Sequence, residues 1–264
     1  MSVAYTYGHH ESVLRSHRWR TAENSAGHLL PHLTGGMRLL DVGAGPGTIT
    51  ADLAGLVREV VATEISEEAL ALTRAGVAEE GAANVSFAVA DVHALPFEDD
   101  AFDVAHAHQV LQHVADPVQA LRELRRVTKP GGIVAVRDSD YAAFAWYPEL
   151  PALDDWLRLY REVARANGGE PDAGRRLRAW ARAAGFADVT AGSSTWCYTS
   201  DDDRAWWGGL WADRITQSTI AHQLRETSLA TDGELQEIAD GFRAWAADPD
   251  GWFSLLHGEI LCRA

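Results

Sequence analysis

Two periods alternate along the first half of this chain. Arg38 to Val42 is a short apolar run of the kind that fills a buried strand, and Glu59 to Glu64 is a second, β-branched one. Asn84 to Ala90, Phe102 to Ala107 and Ile133 to Val136 supply strands three, four and five. Between them the apolar spacing lengthens to that of a helix, from Gly47 to about Val57, after Ser66, and after Asp116-Pro117. Ser66 suits an N-cap, with Glu67 and Glu68 in the first turn where the helix dipole favours acids. Asp116-Pro117 fits the N-cap and N1 positions of a helix whose Val118, Leu121, Leu124 and Val127 share one buried face. Lys129-Pro130-Gly131-Gly132 stops that helix, and His10 to Leu33 reads as one or two helices ahead of the first strand. Strand and helix in this order predict a parallel, doubly wound α/β sheet.

The second half is patterned differently. Helical spacing over Leu153–Asn167 and Gly174–Ala184 leads to a sixth strand, Asp188 to Tyr198. A helical block over Asp203–Ala247 separates it from a last strand, Trp252 to Cys262. Nine of the ten Trp lie after residue 145, so this half either walls a small-molecule pocket or fills a second small core.

Composition narrows the class. A chain of 264 residues, 47% hydrophobic and 23% charged, suits one large α/β domain with insertions. A net charge of −15 argues against bulk nucleic-acid binding, which needs clustered Lys and Arg. Cys197 and Cys262 are too few for a disulfide framework, no apolar run approaches the ~20 residues of a spanning helix, and Met1 to His10 lacks the layout of a signal peptide. A cytoplasmic protein working on a small molecule is expected, with no nucleic-acid or membrane partner and the oligomeric state left open, a homodimer included.

The chemistry concentrates where the first strand ends. Leu39-Leu40-Asp41-Val42-Gly43-Ala44-Gly45-Pro46-Gly47-Thr48 runs from strand through alternating glycines into a helix. That layout places a nucleotide-like ligand at the carboxyl end of a parallel strand, the glycines allowing a tight turn and a close approach. A dinucleotide fingerprint would put its third glycine at Thr48, so the spacing departs from that pattern. Asp41 can accept hydrogen bonds from an amine, whereas it would repel a pyrophosphate. Glu64 ends the second strand about 20 residues on, where an acid clamps ribose hydroxyls in this architecture.

The glycine run resembles motif I of the class I methyltransferases that use S-adenosylmethionine (SAM), whose cofactor carries an amino acid where NAD carries a pyrophosphate. The segment Phe102-Asp103-Val104-Ala105-His106-Ala107-His108-Gln109-Val110-Leu111-Gln112-His113-Val114 resembles motif IV and its following helix in the ubiquinone/menaquinone-type enzymes of that class. The resemblance covers about residues 37 to 138. It implies a Rossmann-like sheet of seven strands, the last antiparallel, an N-terminal helical cap over residues 1–36, a SAM core over 37–138, and helical insertions within 139–264.

It also implies roles. Asp41, Gly43, Ala44, Gly45, Gly47 and Thr48 would cradle SAM (S-adenosylhomocysteine, SAH, after transfer), Glu64 and Ile65 would meet the ribose end, and Asp91 and Val92 the adenine. Ala107 and His108 would lie along the methionine part. Tyr7, within the Tyr5–His10 segment, resembles a mobile cap. Arg20 would supply a guanidinium for the cofactor's carboxylate, with Arg15 and Arg18 equally available. His113 would face the acceptor as a base, or else be a packed structural imidazole. Asp138, at the end of the fifth strand, would pair with it, or be an ordinary loop acid. His106, His108 and His113 do not make a metal site, because no Cys or nearby carboxylate completes a set. Three classes of function stand beside one another: methyl transfer to an O, C or N atom of a small aromatic or polyketide-like metabolite, nicotinamide oxidoreduction on the same sheet, and SAM binding without methyl transfer.

Overall fold

The computed structural model describes residues 11–264. In chain order the elements are α1 (Glu11–Arg18), α2 (Ala22–Ala26), β1 (Arg38–Val42), α3 (Thr48–Ala54), β2 (Glu59–Glu64), α4 (Glu67–Glu79), β3 (Val85–Val89), β4 (Phe102–His108), α5 (Pro117–Val127) and β5 (Thr128–Ser139). There follow β6 (Ala145–Tyr147), α6 (Pro151–Ala166), α7 (Leu177–Ala183), β7 (Asp188–Tyr198), α8 (Asp201–Gln217), α9 (Thr219–Glu226), α10 (Asp232–Ala247) and β8 (Trp252–Arg263). No helix among the described residues is long and apolar enough to cross a membrane.

The chain divides into two compact units. One comprises residues 17–139, 173–194 and 257–264. In it β1 pairs in parallel with β2 and β4, β2 with β3, and β4 with β5, while β8 runs antiparallel along β5. This is the doubly wound sheet that the alternating pattern predicts, with the antiparallel last strand that the resemblance implies. Period two sorts its side chains: Leu39 packs with Ile49 and Leu53 of α3 and with Leu29, whereas Leu40 and Val42 pack with Leu121 and Leu124 of α5 on the other face. Ser66 caps α4 by accepting from the Ala69 amide at 3.2 Å, and Asp116 caps α5 by accepting from the Gln119 amide at 2.9 Å.

The other unit comprises the described residues up to Ser16, with Asp140–Asp172 and Thr195–Leu256. Its core is aromatic. Trp156 stands edge-on to Trp211 at 4.6 Å and to Phe242 at 5.2 Å, and Trp207 stacks on Tyr198 at 4.6 Å. Trp156, Trp211 and Trp245 are buried outright, so of the two readings of the Trp-rich half, these side chains fill a second core.

Two differences from the pattern have local causes. The sheet carries eight strands among the described residues, not seven, because β6 pairs with the start of β8 over three residues, too few to show a period. The helical block at 203–247 is three helices: α8 ends at Ser218, and a capping box formed by Thr231 and Glu234 restarts the chain as α10.

Candidate functional site

The turn after β1 is left-handed at each of its glycines: φ is +68° at Gly43, +57° at Gly45 and +85° at Gly47. Two of the three are glycine for packing. A Cβ on Gly43 would stand 2.5 Å from the Cγ2 of Val110, and one on Gly47 would stand 2.7 Å from the Thr73 carbonyl oxygen. Gly45 is different, because a Cβ there meets nothing within 4 Å. Its left-handed backbone borders open space, and this is where a ligand can approach the main chain.

Neighbouring strand ends hold this turn from both sides. The amides of Gly43 and Ala44 donate to the Thr63 carbonyl at 2.9 and 3.2 Å. The Gly45 amide donates to Glu64 Oε1 at 2.6 Å, and Thr73 Oγ1 donates to the Gly45 carbonyl at 2.6 Å. Glu64 is therefore beside Gly45, with Ile65 next to it 65% exposed, an apolar surface offered at the end of β2. At the end of β3, Ala90 donates its amide to the Glu64 carbonyl at 2.9 Å. Asp91 is exposed and accepts from the His93 amide and its Nδ1 at 2.9 and 2.7 Å, which hold its carboxyl below the usual range. Val92 is buried. Because β1, β2 and β3 are parallel neighbours, Gly45, Glu64 and Asp91 come to the same end of the sheet.

Asp41 is not brought to the open side of the turn. It is 2% exposed, Oδ2 accepts from Thr50 Oγ1 at 2.6 Å, and Oδ1 lies 2.8 Å from Nδ1 of His106, which is itself buried. Asp41 and His106 face each other across the β1–β4 register. The acid expected to meet an amine is instead the centre of a buried polar cluster beneath the turn. Thr48 opens α3 and sends its hydroxyl toward the His17 carbonyl at 3.5 Å.

At the end of β4, Ala107 and His108 are both buried. Burial, and then the positive charges of Arg20 and Arg137, push the His108 imidazole well below its ordinary pKa. Of the three candidate arginines, Arg20 is the one that reaches this strand end, its Nη2 donating to Gln109 Oε1 at 2.7 Å. Arg15 pairs with Asp213 at 3.3 Å, and Arg18 is exposed. Tyr7 and the rest of Tyr5–His10 lie outside the described residues.

His113 and Asp138 are joined through Gln112. The Gln112 amide donates to Asp138 Oδ1 at 3.0 Å, and the Ser139 amide donates to Gln112 Oε1 at 3.0 Å, a reciprocal clamp between the end of β5 and the short 3-10 turn Leu111–His113. Since that oxygen faces Ser139, the Gln112 amide nitrogen must donate to His113 Nε2, 3.0 Å away. Burial, and then Arg20, lower the His113 pKa to about 3. Burial raises Asp138, which is 0% exposed, to about 7 against the opposing pull of the Gln112 and Leu111 amides. The imidazole therefore stays neutral even in mild acid, and the carboxyl holds its proton toward neutral pH.

Gln109, Gln112 and His106 carry much of this geometry, roles that the resemblance does not assign to them. The one available signal is His106, a polar residue between Ala105 and Ala107 in a strand that is otherwise buried. Nothing in the spacing of the glutamines marks them.

Residues 33–194 match the family model of a methyltransferase domain. The chain is 34% identical to an uncharacterized methyltransferase of Schizosaccharomyces pombe over 97% of its own length and 95% of that protein. It is 36% identical to a demethylmenaquinone methyltransferase of Clavibacter sepedonicus over 67% of its length and 75% of that enzyme. It shares its fold with a phosphoethanolamine N-methyltransferase of Haemonchus contortus solved with phosphomonomethylethanolamine and SAH. That match has a TM-score of 0.54 at 19% identity, over 88% of this chain and 49% of the other.

Proposed function

The chain belongs to the methyltransferase domain family whose model it matches, and we propose that it binds SAM across the ends of β1, β2 and β3 and moves its methyl group to a small-molecule acceptor. The observation that carries this reading is Gly45, a left-handed glycine bordering open space with a carboxylate fixed at its amide. Glu64 keeps acceptor capacity suited to a ribose diol, Ile65 offers an apolar face for a planar base, and Asp91 and Val92 close the same end. Arg20 and the Ala107–His108 strand end serve the amino-acid part.

When bound, the cofactor supplies an activated methyl group on a sulfonium. The residues of the chain have to align the acceptor and exclude water, a contribution of about 7–11 kcal/mol at best. His113 is ill-matched to removing a proton, because a base works best with a pKa near the operating pH and burial has taken this one to about 3. It acts as a neutral imidazole, its Nε2 accepting from Gln112 and its direction set by the Asp138–Gln112 clamp. Asp138 is accordingly a positioning residue. A small ring-bearing acceptor, as the demethylmenaquinone relative's name implies for that enzyme, is the acceptor class we favour. The nicotinamide reading is disfavoured by the glycine spacing.

The test is calorimetric titration of SAH and, separately, NADH into the full chain. It is followed by incubation of a metabolite extract with methyl-labelled SAM and mass spectrometry of the labelled product. Binding of SAH without NADH, and a labelled small molecule, are the expected results. SAH binding without any labelled product would favour a SAM-binding protein that does not transfer methyl.

A further inference from the structure

Gln109 follows β4 directly and holds a φ of +54°, a left-handed conformation that L residues other than Asn, Asp and Gly seldom adopt. Its hydrogen bonds hold it there. The backbone amide donates to the Arg137 carbonyl at 2.7 Å. Its side-chain oxygen must face Arg20, which can only donate, and accepts from Nη2 at 2.7 Å. The amide nitrogen then has its two protons for Ser139 Oγ and His257 Nε2, each at 2.9 Å. The next residue, Val110, places its Cγ2 2.5 Å from where a Cβ on Gly43 would stand. One residue thus touches the arginine ahead of β1, the end of β5, the middle of β8 and, through Val110, the glycine turn after β1.

We propose that Gln109 is a positioning residue for methyl transfer, which aims the Arg20 guanidinium at the anionic end of the cofactor and sets the glycine turn and the His113 turn in one register. This rests on the methyltransferase reading above. A left-handed glutamine with a fully used amide is costly for a simple turn, where glycine would serve; strain of this kind persists where the surroundings over-determine it. The neutral amide matters as well. It orients Arg20 without cancelling its charge, which a carboxylate at the same place would do.

The test is a double-mutant cycle on the full chain, read by SAH affinity from calorimetry and by the thermal midpoint without ligand. Gln109→Glu keeps the acceptor for Arg20 and replaces the two donors. We expect it to unfold cooperatively near the parent midpoint and to bind SAH at least tenfold more weakly. In an Arg20→Gln background the same change should alter SAH affinity less than twofold, because there is no guanidinium left to aim. Gln109→Gly relieves the backbone and removes the hub. It should weaken SAH binding without a matching fall in midpoint.

An equal loss of affinity with and without Arg20 would show that Gln109 does not act through the guanidinium and overturn the proposal. So would SAH affinity within twofold of the parent in both Gln109 variants, or failure of both to fold. A parent chain that binds no SAH would overturn the methyltransferase reading itself, and this inference with it. A parent that binds SAH while the cycle shows no coupling overturns only the role of Gln109.

Discussion

The ends of β1–β3 and the ends of β4–β5 are built on opposite principles. At the first, backbone conformation does the work: left-handed glycines, an amide tied to Glu64 and an exposed Ile65 leave the main chain open. At the second, polar side chains are tied to one another, and burial keeps the His113 imidazole neutral and holds the Asp138 proton toward neutral pH. The first region is suited to hold a large ligand by its shape and hydrogen bonds. The second is suited to fixed geometry and not to proton traffic. A reaction whose methyl donor is already activated needs both and requires little acid–base chemistry.

The sharpest break of this contrast is at Asp41, which sits under the open region yet is built like the buried one. Asp41→Ala leaves Thr50 Oγ1 and His106 Nδ1 without their acceptor inside the fold. We expect a loss of about 1–3 kcal/mol for each buried donor left unsatisfied, read by chemical denaturation. Loss of SAH binding with full stability would show that Asp41 faces the ligand after all.

Asp138→Asn sharpens it through pH. The unfolded carboxyl ionises near 3.8 and the folded one near 7, so the folded state binds more protons in between. That contribution is fully present below about pH 4 and is lost as pH rises through about 7. His113 and His28, both lowered to about 3, act in the other direction, adding stability as pH rises from about 3 to 6.5. The substituted amide keeps an acceptor for the Gln112 amide and has no proton to lose. Relative to the parent, the variant should gain about 1–4 kcal/mol between pH 4 and 8. Parallel stability curves would mean the carboxyl is ionised in the fold.

At the open end, Glu64→Ala should weaken SAH binding by about 1–3 kcal/mol, the range for a hydrogen bond to a charged group, with little change in the thermal midpoint. An unchanged dissociation constant would remove the end of β2 from the site. The smallest effect is at His113. His113→Ala should lower single-turnover methyl transfer by about tenfold or less, short of the ~10²–10⁴ that a working base supplies. A larger loss with unaltered SAH affinity would restore the imidazole as a base.

Much of the contrast is legible in the sequence, though unevenly. β1 and β2 begin and end where the apolar runs do, β7 spans the expected sixth strand, and Ser66 and Asp116 cap the helices their types suggest. The alternating glycines mark the open turn because a left-handed backbone demands that residue type. Direction is what the residues do not disclose. Asp41 has the right type and place for an amine acceptor, but Thr50, 9 positions on, and His106, 65 positions on, draw its carboxylate inward. Likewise His113 and Asp138 are visible as candidates, while their shifted protonation depends on burial, which only the packed fold determines. Gln109 leaves no trace in the pattern because its conformation is imposed by four partners remote in sequence.

The central claim is that the open glycine turn is a SAM site, and Gly45 tests it most directly. A side chain at a position with φ +57° enters open space and not packed protein, so Gly45→Ala is expected to fold with a cost of about 1–2 kcal/mol for the left-handed residue. Calorimetric titration of SAH should show clear binding to the parent and at least tenfold weaker binding to this variant. Equal SAH affinity in the two folded proteins would contradict the account.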